Sequence, residues 1–171
     1  MTVSIVPGER TTEGYLFNLR EVVNAKENPI EYLAIDPGKH NGVCGYDAKF
    51  YLAFMLVIEA DDMIMFTDQF TSLKKVIIES YKVYPGKEKQ HIYSDLETVR
   101  VIGRVESWTE KNRIQLIAQP ASIKPTGYAW IGKTPLPKSN PLNHSLDAHV
   151  HAMYYFVKHG LINAADLLKK G

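Results

Sequence analysis

Tyr32-Leu33-Ala34-Ile35-Asp36-Pro37-Gly38 is the stretch on which the reading of this chain turns. Four apolar residues run into a carboxylate and then into a Pro-Gly turn signal, the pattern of a buried strand that delivers an acid to its end. A carboxylate in that position is costly unless it has a partner or a metal. Its plainer reading is a turn-initiating Asp. Working outward, Asn41–Tyr46 and Phe50–Ile58 read as two more strands joined near Asp47-Ala48-Lys49, so the first three strands form an antiparallel meander. A short helix is expected within Asp61–Phe70. Lys75–Ser80 (KVIIES) repeats the first pattern: a buried strand carrying an acid, Glu79, at its end.

Farther along, Ser94-Asp95-Leu96-Glu97 fits a capping box that opens a helix striped by Leu96, Val99, Ile102 and Val105. Gly103 within that helix costs roughly 1 kcal/mol against Ala and suggests close packing there. Arg113–Ala118 reads as a fifth strand. A final helix runs from about Ser145 to Lys158 and stops at Gly160, with Asp147 in its first turn and His144 just ahead. Between them, Gln119–Asn143 holds five of the nine prolines and reads as a long functional loop. The order is therefore β-β-β-(α)-β-α-β-α. Before it, residues 12–25 place Tyr15, Leu16, Leu19, Val22 and Val23 at helical spacing, so residues 1–30 read as an extension with a short amphipathic helix and 31–171 as one domain.

The 171 residues suit a single domain. The one cysteine, Cys44, cannot form an internal disulfide or a cysteine-based zinc site, which fits a reducing cytoplasm. The longest apolar run, Phe50–Ile58, is far short of the roughly 20 residues of a membrane helix, so no membrane partner is expected. The net charge of +1 hides an asymmetry: Lys111 to Leu146 contains five basic residues and no acid. Such a segment is either an anion-binding surface or an ordinary solvated loop.

Three acids thus sit at the ends of ordered elements: Asp36, Glu79 and Asp147, with His144 beside the last. Each has a bland reading, as a turn residue, a strand-end charge, a dipole-favoured helix acid and a helix-flanking histidine. If they converge, they make a hard, oxygen-rich site suited to Mg²⁺ or Mn²⁺. His149 and His159 read as surface residues, and His151, one helical turn beyond Asp147, as a fifth member of the site, a neighbour of it or a surface residue.

The motifs Ala34-Ile35-Asp36-Pro37-Gly38, Val76-Ile77-Ile78-Glu79 and His144-Ser145-Leu146-Asp147-Ala148, in that order, resemble those of the RuvC-like Holliday junction resolvases, closest to their short bacteriophage versions. Pro85-Gly86-Lys87 and Gln119-Pro120 resemble the same branch. The resemblance implies a ribonuclease H-like α/β fold: a five-stranded mixed sheet, an antiparallel meander plus parallel strands, flanked by helices. It implies a homodimer that makes paired nicks in four-way and other branched DNA, in the cytoplasm of a host cell. Asp36, Glu79, His144 and Asp147 would be catalytic residues and ligands for two Mg²⁺ or Mn²⁺ ions, with His144 either ligating or moving a proton. Tyr81 or Tyr84 would stack on bases, while Lys82, Lys87, Lys124, Lys133 and Lys138 would contact DNA. The alternatives are a related nuclease acting on flaps or packaging intermediates, and a non-catalytic junction-binding module.

Overall fold

The first strand, β1 (Tyr32–Asp36), lies at the centre of the sheet, and everything that positions the site follows from its alternation. In this computed structural model, which describes residues 29–81, 92–137, 139–140 and 142–168, β1 pairs antiparallel with β2 (His40–Tyr46) and parallel with β4 (Lys75–Ser80). Beyond these lie β3 (Leu52–Glu59), antiparallel to β2, and β5 (Gln115–Pro120), parallel to β4. The order β3-β2-β1-β4-β5 is the expected mixed sheet of a meander and two parallel strands. Its helices are α1 (Met63–Thr67), α2 (Ile92–Lys111), α3 (Lys124–Ile131), α4 (Leu142–Lys158) and α5 (Ala164–Leu168).

Successive side chains on a strand face opposite ways. Leu33 and Ile35 of β1, with Val76 and Ile78 of β4, join a core beneath α1 and α2 that includes Phe66, Val101, Val105 and Trp108. Ala34 and Ile77 go to the other face, into a core with Tyr128 of α3 and Val150, Met153 and Phe156 of α4. The parity that sends Ala34 and Ile77 towards α4 also sends Asp36 and Glu79 there. Because Ile35 pairs with Ile78 in the parallel register, the two acids emerge side by side at the carboxyl ends of neighbouring strands.

Helix α4 lies close over β2. A Cβ on Gly42 would stand 1.9 Å from the His144 carbonyl oxygen, and only a glycine permits that approach. The Cys44 thiol adds a hydrogen bond to the Ser145 carbonyl at 3.1 Å. At its far end the helix turns off through Gly160 at φ 66°, as expected.

Several expectations need correcting. The segment read as a loop over Gln119–Asn143 is partly helical: a 3₁₀ turn (Ala121–Ile123) leads into α3, with Pro125 at a position where a helix does not need its N–H. The prolines bracket a helix rather than exclude one. Helix α4 starts at Leu142, so His144 is inside it and Asp147 lies beyond its first turn. Gly103 has no packing partner: a Cβ there meets nothing within 4 Å, because it lines an open groove beside Ile64, Arg104 and Trp108. His149 is not a plain surface residue; its Nδ1 shares a hydrogen bond with the Tyr46 hydroxyl at 2.7 Å, and the two rings stack. The helix expected over residues 12–25, the Pro85-Gly86-Lys87 turn, Lys82, Tyr84, Lys87 and Lys138 lie outside the described residues. No helix among the described residues is long and apolar enough to cross a membrane.

Candidate active site

Asp36, Glu79 and Asp147, carried by β1, β4 and α4, come together at one end of the sheet, and a lysine sits among them. The Lys124 ammonium, at the start of α3, donates to Asp36 Oδ1 at 3.1 Å, Glu79 Oε2 at 2.6 Å and Asp147 Oδ2 at 2.8 Å. Lys124 was expected to face DNA on an open surface. The structure instead turns it inward, its side chain 22% exposed.

His144 Nδ1 lies 2.8 Å from Asp36 Oδ2. That contact occupies one ring nitrogen and leaves Nε2 for another partner. The Tyr128 hydroxyl donates to Asp147 Oδ1, so both oxygens of Asp147 are engaged. His151, fully buried, bridges Glu79 Oε2 at 3.0 Å and Gln119 Oε1 at 2.8 Å through its two nitrogens. His144, Asp147 and His151 share one face of α4 through their helical spacing.

The electrostatics separate the acids. Burial pushes the Asp36 carboxyl above its ordinary value, although the His144 hydrogen bond and the Lys124 charge oppose the shift. At Glu79 burial also works upward, but the His151 hydrogen bond and the charge of Lys124 outweigh it and hold the group at about 2. His144 is raised, first by its hydrogen bond to Asp36. Burial would lower Lys124, yet the charges of Asp36 and Glu79 overcome it and keep the ammonium protonated. Burial, then donation to Asp147, raises the Tyr128 phenol.

The donors are hard oxygens with an imidazole alongside, the set that Mg²⁺ and Mn²⁺ prefer. Their spacing, however, is that of oxygens around an ammonium. Among the described residues no group of His, Cys, Asp and Glu is closed tightly enough to hold a metal ion as it stands. Oxygens at 2.6–3.1 Å from a common cation must draw in to reach the roughly 2.1 Å of a Mg²⁺ contact. The donors fit such an ion in their chemistry, and the position they share is held by Lys124.

Of the other expected site residues, Tyr81 directly follows β4 and is half-buried, and Lys133 is exposed just past α3. Trp130, in the same basic segment, stacks on Tyr154 with ring centroids 5.4 Å apart. The sequence reading missed Tyr128 and Gln119 and left His151 open. A signal existed: Lys124 and Tyr128 are four residues apart on one helix, which puts both on one face.

A mixed sheet in this order, with helices on both faces, is a ribonuclease H-like α/β fold. Thermus thermophilus RuvC, solved in complex with a Holliday junction substrate, shares it with a TM-score of 0.52 at 14% identity, over 75% of this chain and 94% of that one. A second Thermus thermophilus RuvC structure gives 0.45 at 15% identity, over 76% and 96% of the two chains. The yeast mitochondrial Holliday junction resolvase Ydc2 gives 0.47 at 10% identity, over 96% and 93%. At such identities the likeness establishes the fold alone. No protein-family model matches the sequence, and no curated protein does.

Proposed function

We propose that this chain is a metal-dependent, structure-selective endonuclease of the Holliday junction resolvase kind, phage-type, acting as a homodimer in the cytoplasm of a host cell. The observation that carries the reading is the convergence of Asp36, Glu79 and Asp147 from three separate elements upon one cation position, with His144 at its edge. A fold shared with a protein solved on a Holliday junction supports the choice of substrate.

In this reading Asp36, Glu79, Asp147 and His144 hold two Mg²⁺ or Mn²⁺ ions, which when bound supply an activated water and neutralise charge developing on the phosphodiester. The chain's own residues do the rest. Tyr128 fixes Asp147 through one oxygen, His151 fixes Glu79, and His144, oriented by Asp36 through Nδ1, offers Nε2 to a second ion or to a proton of the reacting oxygens. Tyr81, Lys82, Tyr84, Lys87, Lys133 and Lys138 are the proposed DNA contacts, reading backbone and branch geometry rather than base edges. The exposed Leu96 and Val99 of α2 offer an apolar surface for pairing subunits, and a two-fold dimer supplies two equivalent cuts.

One observation favours a second reading, a non-catalytic junction-binding module: Lys124 already satisfies the carboxylates without a metal. The test is cleavage of labelled four-way junction, flap, duplex and single strand side by side. Paired, symmetric nicks at the junction support the resolvase. Cutting of flaps alone moves the proposal to a related nuclease, and binding without cutting in any divalent metal supports the module.

A further inference from the structure

An ammonium has three protons, and each carboxylate of this site gives Lys124 one oxygen. That one-to-one match accounts for every donor of the group. It also means that the spot where the three acids converge is taken. A divalent ion bound to the same oxygens at roughly 2.1 Å would lie inside the volume of the nitrogen, so the two cations exclude each other.

We infer that Lys124 is the resident counter-cation of this site, holding the three carboxylates together in the metal-free protein and leaving when a divalent ion enters. The inference rests on the metal-dependent reading above and adds to it a competition inside the protein. Without a cation, three largely buried acids repel one another across a poorly screened space, and burial favours taking up protons instead. With Lys124 in place the three acids share one counter-charge at a common point, ready to be handed over. The side chain suits the exchange. Lysine carries a point charge on a flexible four-carbon stem, and here the stem starts at the first residue of α3, with the side chain still 22% exposed, so it has a way out to solvent. The neighbouring histidine behaves differently. His144 touches Asp36 from the side, on Oδ2, and leaves Oδ1 to Lys124, so an incoming ion competes with the lysine and not with the histidine.

The experiment titrates Mn²⁺, followed by electron paramagnetic resonance, into the full chain without DNA, as wild type, Lys124→Met and Lys124→Arg. Removing the ammonium should tighten Mn²⁺ binding by about tenfold or more, the factor that 1.4 kcal/mol of lost competition gives. Lys124→Arg, which keeps the charge, should bind no tighter than wild type. In the absence of metal, Lys124→Met should melt lower than wild type and gain more from Mn²⁺. Should that variant fail to fold, the wild type alone decides. A slowly exchanging ¹⁵Nζ ammonium signal of Lys124 is expected in metal-free protein, and Mg²⁺ saturation should shift or remove it. Equal or weaker Mn²⁺ binding by Lys124→Met, or a Lys124 signal unchanged with Mg²⁺ bound, overturns the inference and leaves the metal reading standing. No binding of either ion to any form overturns the metal reading, and this inference with it.

Discussion

Replacing Gly42 with alanine is the sharpest small perturbation the fold allows. The added Cβ would lie 1.9 Å from the His144 oxygen, 2.0 Å from its carbonyl carbon and 2.4 Å from the Ser145 nitrogen. All three are backbone atoms, so no side chain can rotate away. To restore ordinary contact, near 3.4 Å, the first turns of α4 must rise from β2 by about 1.5 Å. Overpacking of this sort costs roughly 1–3 kcal/mol, and a backbone obstacle belongs at the upper end. In a chain of this size, about 3 kcal/mol lowers Tm by about 6–12 °C. The same lift moves His144 and Asp147 away from Asp36 and Glu79, which stay on the sheet. A 1 Å misplacement costs about 100-fold in rate, so the Gly42→Ala variant should lose at least that much of the proposed cleavage. Gly103→Ala is the control: its Cβ meets nothing, and in mid-helix it should stabilise by roughly 0.4–1 kcal/mol. Thermal unfolding and junction cleavage of the two variants provide the check. A Gly42→Ala protein with wild-type Tm and wild-type rate would refute the close approach of α4 to β2.

Other predictions follow from the polar contacts. Tyr128→Phe removes the hydroxyl donor to Asp147 Oδ1 and keeps the ring. It should lower metal affinity or cleavage about 10–100-fold, measured by Mn²⁺ titration beside kcat, with little loss of binding to a four-way junction. His149 is lowered to about 4 by burial and the charge of Lys133. Unfolded, the histidine titrates near 6.5, so between these values the unfolded chain binds more protons and stability rises with pH. The folded state should lose up to about 3 kcal/mol as pH falls from 6.5 to 4. His149→Gln, which keeps an acceptor for the Tyr46 hydroxyl, should flatten that slope in denaturant titrations at several pH values. An equal slope in both proteins would contradict a histidine held neutral by its surroundings.

The parts of the site that local pattern controls were readable from the chain. Apolar runs ending in Asp36 and Glu79 announce buried strands, and once the structure pairs them in parallel, strand parity puts both acids on one face and at one end of the sheet. His144 and Asp147 follow from helical spacing. What stayed hidden depends on distant partners. A lysine by default faces water, and nothing near Lys124 says that its acids lie 88 and 23 residues away, at Asp36 and Asp147. The prolines around α3 carry two messages, loop and helix start, and only packing against α4, where Gly127 meets Val150, decides between them. His149 was misread for the same reason, since its partner Tyr46 is on a strand far away in sequence.

In the proposed function the Asp36 cluster performs metal-dependent cutting of branched DNA. The most direct measurement is cleavage of a labelled four-way junction in Mg²⁺, Mn²⁺ and EDTA, by wild type and Asp36→Asn, with junction binding followed in parallel. Wild type should nick the branch in either metal and not in EDTA, and Asp36→Asn should lose cutting with binding retained. Undiminished cutting by Asp36→Asn, or cutting that persists in EDTA, would contradict it.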